Sequence, residues 1–258
     1  MRVAHVITRL IIGGAQENTV ATVFGLHRKA DVTVRLYSGP TIGPEGSLES
    51  GVRDVEGLLH LIPSLIRPVH PLQDFLAYCH LVREFKNFRP DIVHTHSGKA
   101  GLIGRLAAKR AGVPLIIHSI HGPSFGLFQG RIANALFSEA ERFAGSRTDH
   151  FITVANAMRD QYLAAGIGSR EDYTQIFSGF PLEPYLATEN TPSIRKKLGL
   201  LNDDFVVGKI ARLFELKGHE DLFAVAPRLA KRSKLSRHTP SPTSRNRMLG
   251  TRLAKRIG

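Results

Sequence analysis

Short apolar runs alternate with helical stretches along most of this chain, and that alternation limits the folds open to it. The clearest unit is residues 90–120. Pro90 opens an apolar run ending at Thr95, Ser97 stands where a helix N-cap belongs, and Gly112 with Pro114 closes the helix. A second apolar run, 114–120, follows at once. Strand-like runs fall at 3–8, 32–37, 58–62, 91–95, 114–120, 150–154 and 174–177, with helical patterns at 15–27, 72–88, 99–111, 132–144 and 157–165. Strands alternating with helices predict an α/β protein. Its expected form is a Rossmann-like parallel sheet of about seven strands with helices on both faces.

Beyond residue 180 the pattern changes. Residues 180–191 read as a proline- and acid-containing linker, followed by a short basic helix (193–198), a strand (205–211) and a helix (220–231). Residues 233–258 are rich in Ser, Thr, Pro and Arg, show no period, and are expected to be disordered. Arg-Leu-Ala-Lys-Arg occurs at 228–232 and again at 252–256, too short for a repeat architecture. The expected domains are 1–181, an incomplete second α/β domain at 182–232, and a basic tail at 233–258. One strand and one helix do not make a core, so Val206, Val207, Ile210, Leu222, Phe223 and Val225, residues suited to burial, lack a partner layer. The segment from 182 onward is expected to be mobile or self-associating.

The 258 residues, 42% of them hydrophobic, suffice for a real core. A single cysteine, Cys79, excludes an internal disulfide and fits a reducing cytoplasm. Residues 1–12 are interrupted by Arg2, His5, Thr8 and Arg9, unlike a secretory signal, and no run approaches the ~20 apolar residues of a spanning helix. The net charge is +13, but seven of the Lys and Arg lie in 233–258, where there is no acid. That charge therefore predicts no specific nucleic-acid partner. The expected location is the cytoplasm, at most peripheral at the inner face of a membrane, with its anionic surface as a further partner.

Ligands of open parallel sheets bind beyond the carboxyl ends of the strands, and four places meet that rule. Gly13-Gly14 follows the first strand, where glycines let a backbone approach a ligand and a helix start offers free N–H groups; a plain tight turn is the other reading. His94-Thr-His-Ser-Gly-Lys99 ends the fourth strand and puts His94 and His96 on one side. With His118 and His121 they could form a metal site, which would make the chain a metal-dependent hydrolase; no carboxylate is placed beside them, and packed histidines are the plainer alternative. His121-Gly122 ends the fifth strand and can hydrogen-bond a sugar hydroxyl. Arg212 follows the expected strand 205–211 and Lys217 lies just before the next helix, so both can converge on an anion such as a diphosphate, or stay simply solvated. No Asp-x-Asp, nucleophile elbow or P-loop occurs. No metal and no cofactor are expected.

As a set, these residues resemble glycosyltransferase family 4, of the GT-B fold. The likeness is carried by Arg89-Pro-Asp-Ile-Val-His-Thr-His-Ser-Gly-Lys-Ala-Gly-Leu-Ile-Gly-Arg105 and Gly112-Val-Pro-Leu-Ile-Ile-His-Ser-Ile-His-Gly122. Pro63-Ser-Leu-Ile-Arg67 and Pro71-Leu-Gln-Asp74 match a bacterial branch, and 154–165, Gly208-Lys-Ile-Ala-Arg212 and Lys217-Gly-His219 continue it. The resemblance implies a hexosyltransferase-type enzyme of cell-envelope polysaccharide synthesis. Such enzymes move a sugar from a nucleotide donor to a hydroxyl of a glycan or lipid-linked acceptor, with retention and without metal. It implies that Gly13 and Gly14 lie near the donor phosphates, that His121 is catalytic at the transferred sugar, and that Arg212 and Lys217 hold the diphosphate. His96 and Lys99 fall on the acceptor side. The family's second domain carries Glu-x7-Glu and a Gly-rich loop, and neither follows Arg232. The chain is thus expected to be a truncated copy with impaired transfer; a non-catalytic module that binds an acceptor or partner is the alternative from a different class.

Overall fold

The computed structural model describes residues 1–126, 128–180, 182–189, 191–201, 206–211 and 217–233. Among the described residues, seven strands form one sheet: β1 (Arg2–Ile7), β2 (Thr33–Ser38), β3 (Leu59–Leu61), β4 (Ile92–His96), β5 (Leu115–Ile120), β6 (His150–Thr153) and β7 (Tyr173–Gln175). Every pairing is parallel and the order is β3-β2-β1-β4-β5-β6-β7. The chain builds outward from β1 in one direction and then, from β4, in the other. The direction of winding therefore switches between β1 and β4, the position at which a parallel sheet leaves a crevice at its carboxyl edge.

The connecting helices are α1 (Gly14–His27), α2 (Glu49–Arg53), α3 (Pro71–Phe88), α4 (Gly98–Ala111), α5 (Arg131–Gly145) and α6 (Asn156–Ala164). They cover both faces, as the alternation predicts. Ala4, Val6, Val93 and Ile116 of the sheet are buried with Leu81 and Phe85 of α3 and Ile103 and Ala107 of α4. Ile7, Val34 and Leu36 point the other way, into a cluster with Val23 of α1 and Val52 of α2. The short α2 had no signature in the sequence, and β7 starts one residue and ends two residues earlier than the expected run.

Helix α4 lies unusually close to the sheet, and two glycines allow it. A Cβ on Gly101 would stand 2.5 Å from Cε1 of His118, and one on Gly104 2.8 Å from Cγ2 of Thr95. One turn after Gly101, buried Arg105 donates to the Gly101 carbonyl, to Oγ1 of Thr148 and, at 2.7 Å, to Oε2 of Glu141 on α5. This pair ties α4 to α5 in place of an apolar contact.

The chain divides into two compact units, Met1–Thr188 and a second beginning at Glu189. The first includes a short helix, α7 (Glu183–Leu186), inside the stretch read as linker; the second contains α8 (Pro192–Leu198) and α9 (His219–Ser233). The expected strand at 205–211 does not form: its described residues, 206–211, carry no regular hydrogen-bonded structure. The physical reason is that a strand needs a neighbour, and none stands beside it among the described residues. Accordingly Val206, Val207, Ile210, Phe223 and Val225 are exposed, not buried as their chemistry suggests. The expectation of disorder at 234–258 lies outside the described residues.

Candidate active site

Parallel partners in adjacent strands point to the same face, so register decides which polar side chains meet. His5 of β1 pairs with His94 of β4, and His96 pairs with Ser119 of β5. These four therefore share one face of the sheet at its carboxyl half. Thr95 pairs with His118, which puts both on the opposite face under α4. There Nδ1 of His118 meets Oγ1 of Thr95 at 2.9 Å, and its ring fills the space over Gly101.

On the first face the histidines form a stack. Nδ1 of His5 lies 2.9 Å from Nε2 of His96, and Nδ1 of His96 lies 3.1 Å from Nε2 of His121, which follows β5. His94 rests beside them, with Nε2 at 2.7 Å from Oγ of Ser119. Burial disfavours their charged forms. It lowers the pKa of His5 and of His121 to about 4. Those of His94, His96 and His118 fall well below the ordinary value, first through burial and then through neighbouring cationic forms. At neutral pH all five are uncharged imidazoles, able to donate or accept but not to serve as fixed cations.

The turns that open α1 and α4 hold Gly13, Gly14 and Lys99. Gly13 precedes α1 with its backbone extended, and no side chain caps the helix. A Cβ on Gly14 would meet nothing within 4 Å, so that glycine is not required by the packing. Ser97 sits at the N-cap position of α4 but makes no capping hydrogen bond, contrary to expectation. Its backbone, at φ 65° and ψ 167°, lies in a region nearly reserved for glycine, which turns the hydroxyl from the helix start. Oγ1 of Thr8 takes over, accepting from the Ala100 N–H at 3.2 Å. Lys99 is tied by the Asp74 carboxylate and the Pro68 carbonyl, so its ammonium anchors α4 to the start of α3. Arg212 lies outside the described residues. Lys217 is exposed in the second unit, directly before Gly218 and α9.

The metal quartet open to the sequence does not assemble, because His118 faces away from His94 and His96. His5 is the residue that sequence reasoning missed, together with Ser119. His5, His94 and His96 offer ligand atoms within 4.8 Å of one another, a spacing compatible with a cation. The direct contact between His5 and His96 at 2.9 Å is however a hydrogen-bond distance. Two nitrogens on a tetrahedral zinc would stand roughly 3.3 Å apart.

Residues 13–176 match the model of the glycosyl transferase 4-like domain. The chain belongs to that family. Among relatives, it is 28% identical over 221 residues to the Escherichia coli UDP-Gal:alpha-D-GlcNAc-diphosphoundecaprenol alpha-1,3-galactosyltransferase, covering 84% of this chain and 55% of that one. It is 24% identical over 169 residues to the Staphylococcus aureus capsular polysaccharide biosynthesis glycosyltransferase CapM, covering 64% and 44%. Its fold is that of a glycosyltransferase from Rickettsia africae, with a TM-score of 0.64, 17% identity, and 89% and 57% of the two chains covered. A lipopolysaccharide outer core galactosyltransferase, WaaB, superposes with a TM-score of 0.52 at 14% identity, over 70% and 47%. The chain spans about half the length of the curated relatives it matches. The matched 13–176 contain Gly13, Gly14, His96, Lys99 and His121. Among the described residues, no helix is long and apolar enough to cross a membrane.

Proposed function

We propose that this chain provides the acceptor-side half of a hexosyltransferase that moves a sugar from a nucleotide donor to a hydroxyl of a lipid-linked glycan, with retention. The observation that carries the reading is the convergence of the Gly13-Gly14 loop, the end of β4 and His121 on the carboxyl edge at the β1/β4 switch. Neutral His121 contacts the transferred sugar by hydrogen bonding, the uncapped start of α1 faces donor phosphate, and Lys217 with Arg212 neutralises the leaving diphosphate. His96 acts behind His121. Lys99 shapes the acceptor side through its tie to Asp74. The transfer itself uses no metal and no cofactor. A relative named for a diphosphoundecaprenol acceptor supports a lipid-linked substrate. The proposed place of work is the inner, cytoplasmic face of a membrane, against its anionic surface. Exposed Ile132 and Leu136 on α5, flanked by Arg131, suit such a surface.

Glu-x7-Glu occurs nowhere in the 258 residues, so slow turnover is expected of this chain by itself. The test is a transfer assay with labelled UDP-hexoses and a polyprenyl-diphosphate-linked sugar, followed by anomer analysis. Saturable formation of a retained glycoside supports the proposal. No binding of any donor or acceptor, or an inverted product, would overturn it and favour a module that binds a different partner.

A further inference from the structure

His5, His96 and His121 form a chain in which each contact joins Nδ1 of one ring to Nε2 of the next. The rings are nearly parallel in pairs, with interplanar angles of 12° and 24°. A neutral imidazole has one donor and one acceptor nitrogen. The two hydrogen bonds must therefore run in the same direction, either from His5 toward His121 or from His121 toward His5. Burial keeps all three rings uncharged near neutrality, so no doubly protonated ring breaks this rule.

The deep end of the chain distinguishes the two directions. Nε2 of His5 is buried and has no hydrogen-bond partner among the described residues. If the bonds ran toward His5, that nitrogen would carry an unpaired, fully desolvated N–H, the kind of orphan that folded proteins rarely contain. If they run toward His121, His5 and His96 each carry hydrogen on Nδ1, and only a bare lone pair is left at the buried end. At the other end, Nε2 of His121 is then an acceptor, so its hydrogen must sit on Nδ1, which has no partner among the described residues.

We propose that His5 and His96 are positioning residues that lock His121 as its Nδ1–H tautomer, so that the ring offers a donor, not a lone pair, at the carboxyl edge of the sheet. The isolated imidazole of histidine favours Nε2–H, so the stack reverses the default. A fixed donor suits an oxygen of a sugar, whether hydroxyl or glycosidic. That last step rests on the sugar-transfer reading above; the tautomer itself does not. The lock and a metal ion exclude one another, because a cation at His5, His94 and His96 would claim the nitrogens that make the 2.9 Å bond.

The tautomers are read directly by long-range proton–nitrogen NMR on the full chain with 15N-labelled histidine, near pH 7.5. In the wild type, His121 should give the Nδ1–H pattern. In His96→Phe it should return to predominantly Nε2–H. In His96→Asn, whose amide N–H can still donate to Nε2 of His121, the Nδ1–H pattern should be kept. His5→Phe should give a mixture, since His96 is then free to reverse. An Nε2–H His121 in the wild type, or a tautomer indifferent to His96→Phe in a folded variant, would overturn the proposal. So would one tightly bound equivalent of zinc that removes the Nδ1–H pattern. None of these readouts depends on turnover, so an inactive chain tests the sugar-transfer reading separately.

Discussion

The two faces of β4 and β5 use the same residue type in opposite ways. Under α4, His118 is packing material: its ring fills the gap above Gly101 and its Nδ1 is bound by Thr95. One residue along the strand, the direction reverses, and His96 belongs to a relay that ends at the sheet's carboxyl edge. The first face has a helix pressed onto it, a buried Arg105–Glu141 pair behind it and no room to move. The second has neutral imidazoles aligned behind a loop. The packed histidine and the hydrogen-bonded histidine chain are thus separated by the alternation of a strand, not by distance along the chain. A histidine is informative about function only once its face is known.

Changes on the α4 face should cost stability. The largest effect is expected from Glu141→Leu, which strands the buried Arg105 guanidinium and should cost about 3–5 kcal/mol in chemical unfolding. Arg105→Met combined with Glu141→Leu should recover most of that loss. Recovery would show that the pair gives specificity more than net stability, and a purely additive loss would contradict this.

The histidine face should reveal itself through acid. The folded-state pKa values of His5 and His121, about 4, lie below the ordinary 6.5. The unfolded chain then binds protons that the folded chain refuses, so stability is full above about pH 6.5 and falls as the pH drops toward 4. For His5 alone the loss is on the order of 3 kcal/mol. Unfolding midpoints measured from pH 7.5 to 4.5 should therefore fall more steeply in the wild type than in His5→Phe. Equal slopes would mean that His5 is charged or hydrated in the folded state. The smallest effect belongs to the close approach of α4. Gly104→Ala pushes a methyl against Thr95 and should cost about 1–3 kcal/mol, whereas Gly14→Ala, with open space around it, should leave stability nearly unchanged.

Most of the sheet was legible because buried parallel strands read as apolar runs, and helices between them as periodic ones. The apolar run before His94 and the stop at Gly112 and Pro114 after α4 marked one complete unit. Register was not legible. Nothing local in the sequence tells that His5 stands beside His94 while His118 turns away, because that depends on how β1 slides against β4. The alternation of Val3, His5 and Ile7 could have flagged His5 as sharing a face, but not its neighbour. Ser97 was misjudged because its cap role assumes an ordinary backbone, and its φ of 65° lies outside that. In the second unit, the hydrophobic pattern of 205–211 was real, but the pattern expresses a wish for a partner and cannot supply one.

The central claim is that the histidines divide between transfer and packing according to face. The most direct test compares His121→Ala with His118→Ala, each measured for sugar transfer in a version joined to a complete donor-binding domain, and for thermal unfolding. The account predicts that His121→Ala lowers the transfer rate by roughly 10²–10³, as for a lost oxyanion donor, with little change in melting. His118→Ala should open a cavity under α4 and lower the melting point, while the folded fraction transfers sugar at the wild-type rate. Loss of transfer in His118→Ala at full folding, or wild-type transfer in His121→Ala, would contradict the account.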